Sequence, residues 1–186
     1  MKKIIGLVML MFLLSVSKVQ AVELNNYTDD IKVLSALEVL DNIGSNDVFD
    51  RLDKSSTRII FYDLSLMSFS YASHYAVSST DESGNNYILI NEKYRNAPKE
   101  ALACLIAHES VHQLEHATID EEVRATTVEA QTWLKLASHV EVGMNDALVN
   151  RENRLARMYK MSTSRQNLIR DSITSNNFYQ QQLALN

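Results

Sequence analysis

Residues 106–130 read IAHESVHQLEHATIDEEVRATTVEA, and the fold turns on how they are read. His108 and His112 bracket Glu109 in an H-E-x-x-H, His116 follows four residues later, and then come Glu121, Glu122 and Glu129. On an α-helix, residues i and i+4 share one face a turn apart. Two imidazoles so placed can converge on a single zinc ion at ~2.0–2.1 Å. Glu109, next to the first histidine, can reach a water on such an ion without ligating, take its proton and later return it. His116 lies on the same face, but its eight-residue separation from His108 is ~12 Å of helix, too far for one ion to bind all three. It reads as a residue of the site's rim or as surface.

The second half of the stretch starts a new helix. Thr118-Ile-Asp-Glu121 is a capping box, with Thr118 at the N-cap and the Glu121 side chain reaching back to the cap's N–H. That reserves Glu121 for the cap and leaves Glu122 free. Glu122, Ala125, Thr126, Glu129, Trp133 and Leu136 then form one stripe. The short Ala117–Thr118 link predicts an antiparallel helix hairpin in which Glu122 and Glu129 flank the level of His108 and His112. Spacing alone leaves open which of the two is the third ligand.

Working upstream, Pro98 suits the first turn of the histidine-bearing helix. Tyr71 to Ser79 and Asn86 to Glu92 read as strands joined by the turn cluster Asp81–Asn85, and Arg58–Tyr62 (RIIFY) reads as another. Thr28-Asp29-Asp30 starts a helix carrying Ile31, Leu34 and Leu37, which Gly44 stops. The first 21 residues have Lys2 and Lys3, an apolar run from Ile4 to Leu14, and Val19-Gln20-Ala21 at the end. This is the pattern of a secretory signal, and its apolar run is short for a membrane span. The formal net charge of −5 becomes −8 once the three lysines of that segment are removed, which argues against nucleic acid as a partner. Cys104 is the only cysteine, so no internal disulfide forms and the fold rests on its apolar core. Cys104 and Trp133 both read as core.

His108-Glu-x-x-His112 followed by Glu122-x-x-Ala125-x-x-x-Glu129 resembles the gluzincin clan of zinc metallopeptidases. The metzincin pattern would put Gly at 115 and His at 118, where this chain has Glu115 and Thr118. In gluzincins the third ligand is a glutamate on the following helix, often three residues before a small Ala. Carried over by position, the resemblance makes Glu122 the ligand and Glu129 an acid that supports a ligating histidine. The Asn-Glu and Gly-Phe of the aminopeptidase N type are replaced here by Glu121-Glu122 and Val123-Arg124. The chain is small and looks most like the minigluzincins; the specific likeness covers residues 102–133.

Resemblance and residues together set the following expectations. The fold class is α+β: a small, twisted, mainly antiparallel sheet packed on a catalytic helix and a following glutamate helix. Residues 1–21 are a signal peptide, 22–142 a zincin-like catalytic domain, and 143–186 a helical C-terminal extension. The chain is an exported zinc-dependent peptidase, an endopeptidase, with Glu109 as general base and acid. His108, His112 and Glu122 hold Zn2+, and Glu129 supports a ligand. The substrate is a protein or peptide, docking on Asn86–Glu92 by strand addition. Tyr159, His139 and Arg124 are candidates to stabilise the transition state. The alternative is a non-catalytic peptide-binding or envelope protein on the same fold. Residues 143–186 carry six cations against three acids, so a +3 segment hangs on a −11 body. Such a tail should be drawn onto the body; the plainer expectation is a solvated terminal helix pair completing the core, and the sharper one is that Phe178–Leu185 lies in or near the cleft.

Overall fold

A computed structural model describes residues 23–113, 118–140, 145–163 and 167–176. The expected signal segment, His116, the 142/143 boundary and the Phe178–Leu185 latch lie outside the described residues.

The architecture is α+β, with six α-helices and one three-stranded sheet among the described residues. Helix α1 (Ile31–Asn42) begins where Asp30 accepts a hydrogen bond from the Lys32 N–H, and Gly44 at φ 68° ends it. Only glycine adopts that left-handed conformation without a Cβ penalty. Helix α2 (Asn46–Ser55) has no counterpart in the sequence reading. Its Val48, Phe49 and Leu52 are buried at helical spacing, a pattern too short to stand out in ten residues that also carry five charges.

Strands β1 (Arg58–Tyr62), β2 (Ala76–Thr80) and β3 (Asn86–Asn91) are arranged in the order β1-β3-β2. The β2–β3 hairpin forms, closed by Asp81 and Asn85, with Gly84 at φ 83°, but its first strand starts at Ala76 and not at Tyr71, which lies in a 3-10 segment. β1, however, pairs with β3 in parallel, from Arg58 opposite Tyr87 to Tyr62 opposite Asn91. The sheet is therefore mixed, with one parallel and one antiparallel pair, and not mainly antiparallel. The chain between β1 and β2 turns through two 3-10 segments, Leu64–Leu66 and Phe69–Ser73, so the first strand returns on the far side of β3.

This order corrects a second expectation. Asn86–Asn91 is the central strand, hydrogen-bonded on both edges, and cannot accept a further strand. Its last four residues are all buried, as befits a strand covered by a helix. β2 is an edge strand, and it packs on the histidine-bearing helix α3 (Lys99–His112).

α3 is buried at every position from Ala101 to Val111. A helix enclosed on all sides carries no amphipathic stripe, which is why ALACLIA is apolar throughout. α1, α2 and the sheet surround it together with α4 (Ile119–Leu136). Leu102, Leu105 and Ile106 are each at most 1% exposed, and each such burial stabilises by ~1.5–3 kcal/mol. Trp133 of α4 is equally buried and donates its indole N–H to Asn153 of α5 (Ala147–Met161). Helix α6 (Leu168–Thr174) closes a second apolar cluster with α4 and α5 through Ile169, Ile173, Val123, Ala130 and Leu155. α5 thus shares the main core through Leu148, Val149 and Ala156, while α6 belongs to the second cluster.

Candidate metal centre

The centre forms where α3 crosses α4. His108 meets Glu129 and Glu122, while His112, one turn later, meets Glu122 and Glu121. Numbers rise on one helix as they fall on the other, so the two helices run antiparallel.

His108 Nε2 and His112 Nε2 are 3.1 Å apart. Glu122 reaches both, with one carboxylate oxygen 3.3 Å from His112 Nε2 and the other 3.7 Å from His108 Nε2. Tetrahedral ligands at ~2.0–2.1 Å from zinc stand ~3.4 Å from one another. The three separations fall around that value, the two to Glu122 running to different carboxylate oxygens, and His108, His112 and Glu122 could hold one metal ion.

Each imidazole is turned by a carboxylate on its other nitrogen. His108 Nδ1 lies 2.9 Å from Glu129 Oε2, and His112 Nδ1 lies 2.7 Å from Glu121 Oε1. A proton on each Nδ1 would donate outward to these carboxylates and leave both Nε2 atoms facing the shared point. This carboxylate–histidine arrangement is what an imidazole metal ligand needs to keep one tautomer and orientation.

Glu129 lies beside the His108 ring. Glu121 does more than the capping box assigned. Its backbone N–H is capped by Thr118 Oγ1 at 3.1 Å, but its carboxylate turns to His112 and not back to the cap. The signal was in the sequence: Glu121 adjoins Glu122, and one step on a helix rotates a side chain only ~100°, so both can face α3.

Glu109 is buried beside the two histidines, and its charge acts on both imidazoles. It is not part of the ligand group. Ser78 Oγ of β2 stands 3.0 Å from Glu109 Oε2 and 3.0 Å from the Glu109 carbonyl, so a single hydroxyl proton is shared between two acceptors. Nothing in the sequence pointed to Ser78, since the contact spans thirty-one residues and depends on the strand order.

Electrostatics divides the histidine pair. Burial dominates at His108 and holds its pKa below the ordinary imidazole value, despite the charges of Glu122 and Glu109. Burial also opposes charge on His112, but the Glu122 hydrogen bond, the charges of Glu109 and Glu122, and Glu121 outweigh it and push its pKa up to about 9. In the metal-free protein, His112 is the imidazolium that donates on both sides, and His108 the neutral ring that accepts at Nε2.

The other candidate residues are elsewhere. Cys104 is fully buried, burial raises its thiol pKa well above the ordinary value, and it packs as core. His139 follows Glu122 by 17 residues, ~25 Å along the chain. Arg124 is exposed two residues from Glu122, on the opposite side of α4. Tyr159 accepts from Gln131 on the outer side of α4 and packs in the second cluster. Comparison with known proteins gives no match to a family model, a curated protein or a solved structure.

Proposed function

We propose that the chain is an exported zinc-dependent endopeptidase of gluzincin type, acting on protein or peptide. The observation that carries this reading is the convergence of two Nε2 atoms and the Glu122 carboxylate at tetrahedral spacing, with Glu109 beside them and outside the ligand group. A purely structural zinc site has four protein ligands and needs no neighbouring base. Three ligands and a spare carboxylate suit catalysis instead.

Bound there, zinc would act as a Lewis acid and lower the pKa of a water it holds toward ~7. His108, His112 and Glu122 are the holding groups, and Glu129 and Glu121 keep the rings turned. Glu109 accepts the proton of the attacking water and delivers it to the leaving amine. Ser78 holds the Glu109 carboxylate in place for that transfer. A substrate in extended conformation would pair with the outer edge of β2, which brings its backbone past Ser78 and Glu109. Export rests on the charge and hydropathy pattern of residues 1–21. No helix among the described residues is long and apolar enough to cross a membrane.

Glu109→Gln is the test. The variant should bind zinc one to one, keep its fold, and lose at least ~10²-fold in the cleavage of a peptide library. Wild-type cleavage by that variant would remove the enzyme reading as stated.

A further inference from the structure

We infer that Arg151 is a positioning residue for the metal centre, holding the Glu129 carboxylate so that it fixes the ring of His108. The inference rests on the metal-centre reading and extends it to α5, a helix that carries none of the ligands.

Arg151 Nη2 donates to Glu129 Oε2 at 2.9 Å, and Arg151 Nη1 forms an ion pair with Glu129 Oε1. The guanidinium therefore engages both oxygens of one carboxylate. The same Oε2 is 2.9 Å from His108 Nδ1. A carboxylate held at one point can rotate about its last bond and swing its acceptor away from the imidazole. A two-point fork removes that rotation and keeps Oε2 facing the Nδ1–H. Arg151 is itself held. Nη1 donates to Glu152 Oε1 at 2.8 Å, and the guanidinium lies 4.7 Å from the ring centre of Tyr75. The Arg151 side chain is 12% exposed, and Glu129 and Glu152 are 0% exposed. Contacts thus run without a gap from α5 through Arg151 and Glu129 to a ligand ring.

A buried ion pair serving stability alone would have no reason to share its acceptor oxygen with a ligating histidine. The shared Oε2 makes the difference testable by metal binding, with no peptide substrate involved. Zinc dissociation constants are measured by competition with a chelator, and the visible spectrum of the Co2+-loaded protein reports ligand geometry. The variants are Arg151→Met, Arg151→Lys, Glu129→Gln and the Glu129→Gln/Arg151→Met pair, with folding checked by circular dichroism.

Arg151→Met should weaken zinc binding ~10–100-fold, the range for partners of ligating histidines, and alter the Co2+ spectrum. Arg151→Lys keeps the charge but loses the fork, and should fall between Met and wild type. It carries the test if the Met variant does not fold. In the Glu129→Gln background, adding Arg151→Met should cost less than about twofold more, because the two residues act in series. Folded Arg151 variants with wild-type zinc affinity and Co2+ spectrum would overturn the inference. So would an undiminished Arg151→Met effect in the Glu129→Gln background. If wild type binds neither zinc nor Co2+, the metal-centre reading itself falls, and the inference with it.

Discussion

The two histidines lie one turn apart on one helix, yet they should titrate on opposite sides of the ordinary imidazole pKa in the metal-free protein. His112 is held by Glu121 at 2.7 Å and Glu122 at 3.3 Å, and its pKa rises from 6.5 to about 9. His108 moves the other way, below 6.5, because its burial is more complete. A rise of that size is linked to roughly 3 kcal/mol of folding stability. The sign follows from which state holds the proton. The folded state keeps it between pH 6.5 and 9, so the contribution is fully present below 6.5 and is lost as pH rises through 9. Zinc must displace that proton, so affinity should fall about tenfold for each pH unit below 9. Imidazole nitrogen spectra of chelator-treated protein, recorded against pH, give the two midpoints. Unfolding by denaturant at pH 6.5 and at pH 10 gives the stability change. Glu121→Gln should lower the His112 midpoint by replacing a charged acceptor with a neutral amide oxygen. A His112 midpoint at or below 6.5, or both rings titrating together, would refute the reasoning.

Zinc titration should rank Glu122→Ala as the most damaging carboxylate change. Glu121→Gln and Glu129→Gln should each cost ~10–100-fold, because each replaces the charged acceptor of a ligand's Nδ1–H by a neutral amide oxygen. If Glu122→Ala keeps more affinity than either, the ligand assignment is wrong. Ser78→Ala removes one shared hydrogen bond, about 1 kcal/mol, and should lower kcat several-fold while zinc affinity stays put. A drop in zinc affinity equal to the drop in kcat would show instead that Ser78 supports the ligands. Glu152 is fully buried, and burial, partly offset by Arg151, raises its pKa from 4.5 to about 7. The folded state binds its proton more tightly than the unfolded, so stability is lost as pH rises from 4.5 through 7. Glu152→Gln should therefore be roughly 2–3 kcal/mol more stable than wild type at pH 8–9 and nearly equal at pH 5, measured with chelator present. Equal stability at both pH values would show that Glu152 is ionised without penalty.

The local part of this protein is written in its sequence. H-E-x-x-H at i and i+4 places His108 and His112 on one face because helix geometry fixes it, whatever surrounds the helix. Thr118 capping α4 and the turn of the β2–β3 hairpin are local for the same reason: their partners lie within a few residues. The stripe from Glu122 to Glu129 put two acids near the histidines. Position within a resembling family, not spacing, chose Glu122 as the ligand, and the 3.3 and 3.7 Å separations agree with it.

What the chain could not disclose by pattern is every contact made across a long loop. β1 pairs with β3 in parallel because of a crossover, and crossovers leave no periodic mark. That one pairing put β3 in the centre of the sheet and gave β2 its place against α3. Ser78 meets Glu109 only because of it. Glu121 was hidden for a different reason: its backbone N–H is satisfied by the Thr118 cap, while its carboxylate meets His112, a contact that exists only once α4 packs on α3. Arg151 and Glu152 entered the sequence reading only among the charges of residues 143–186. They are buried because α5 lies against α4, where a cation is needed to hold Glu129 in the interior. Helical spacing decides which groups share a face; tertiary packing decides which faces meet, and with them which charges are buried and paired.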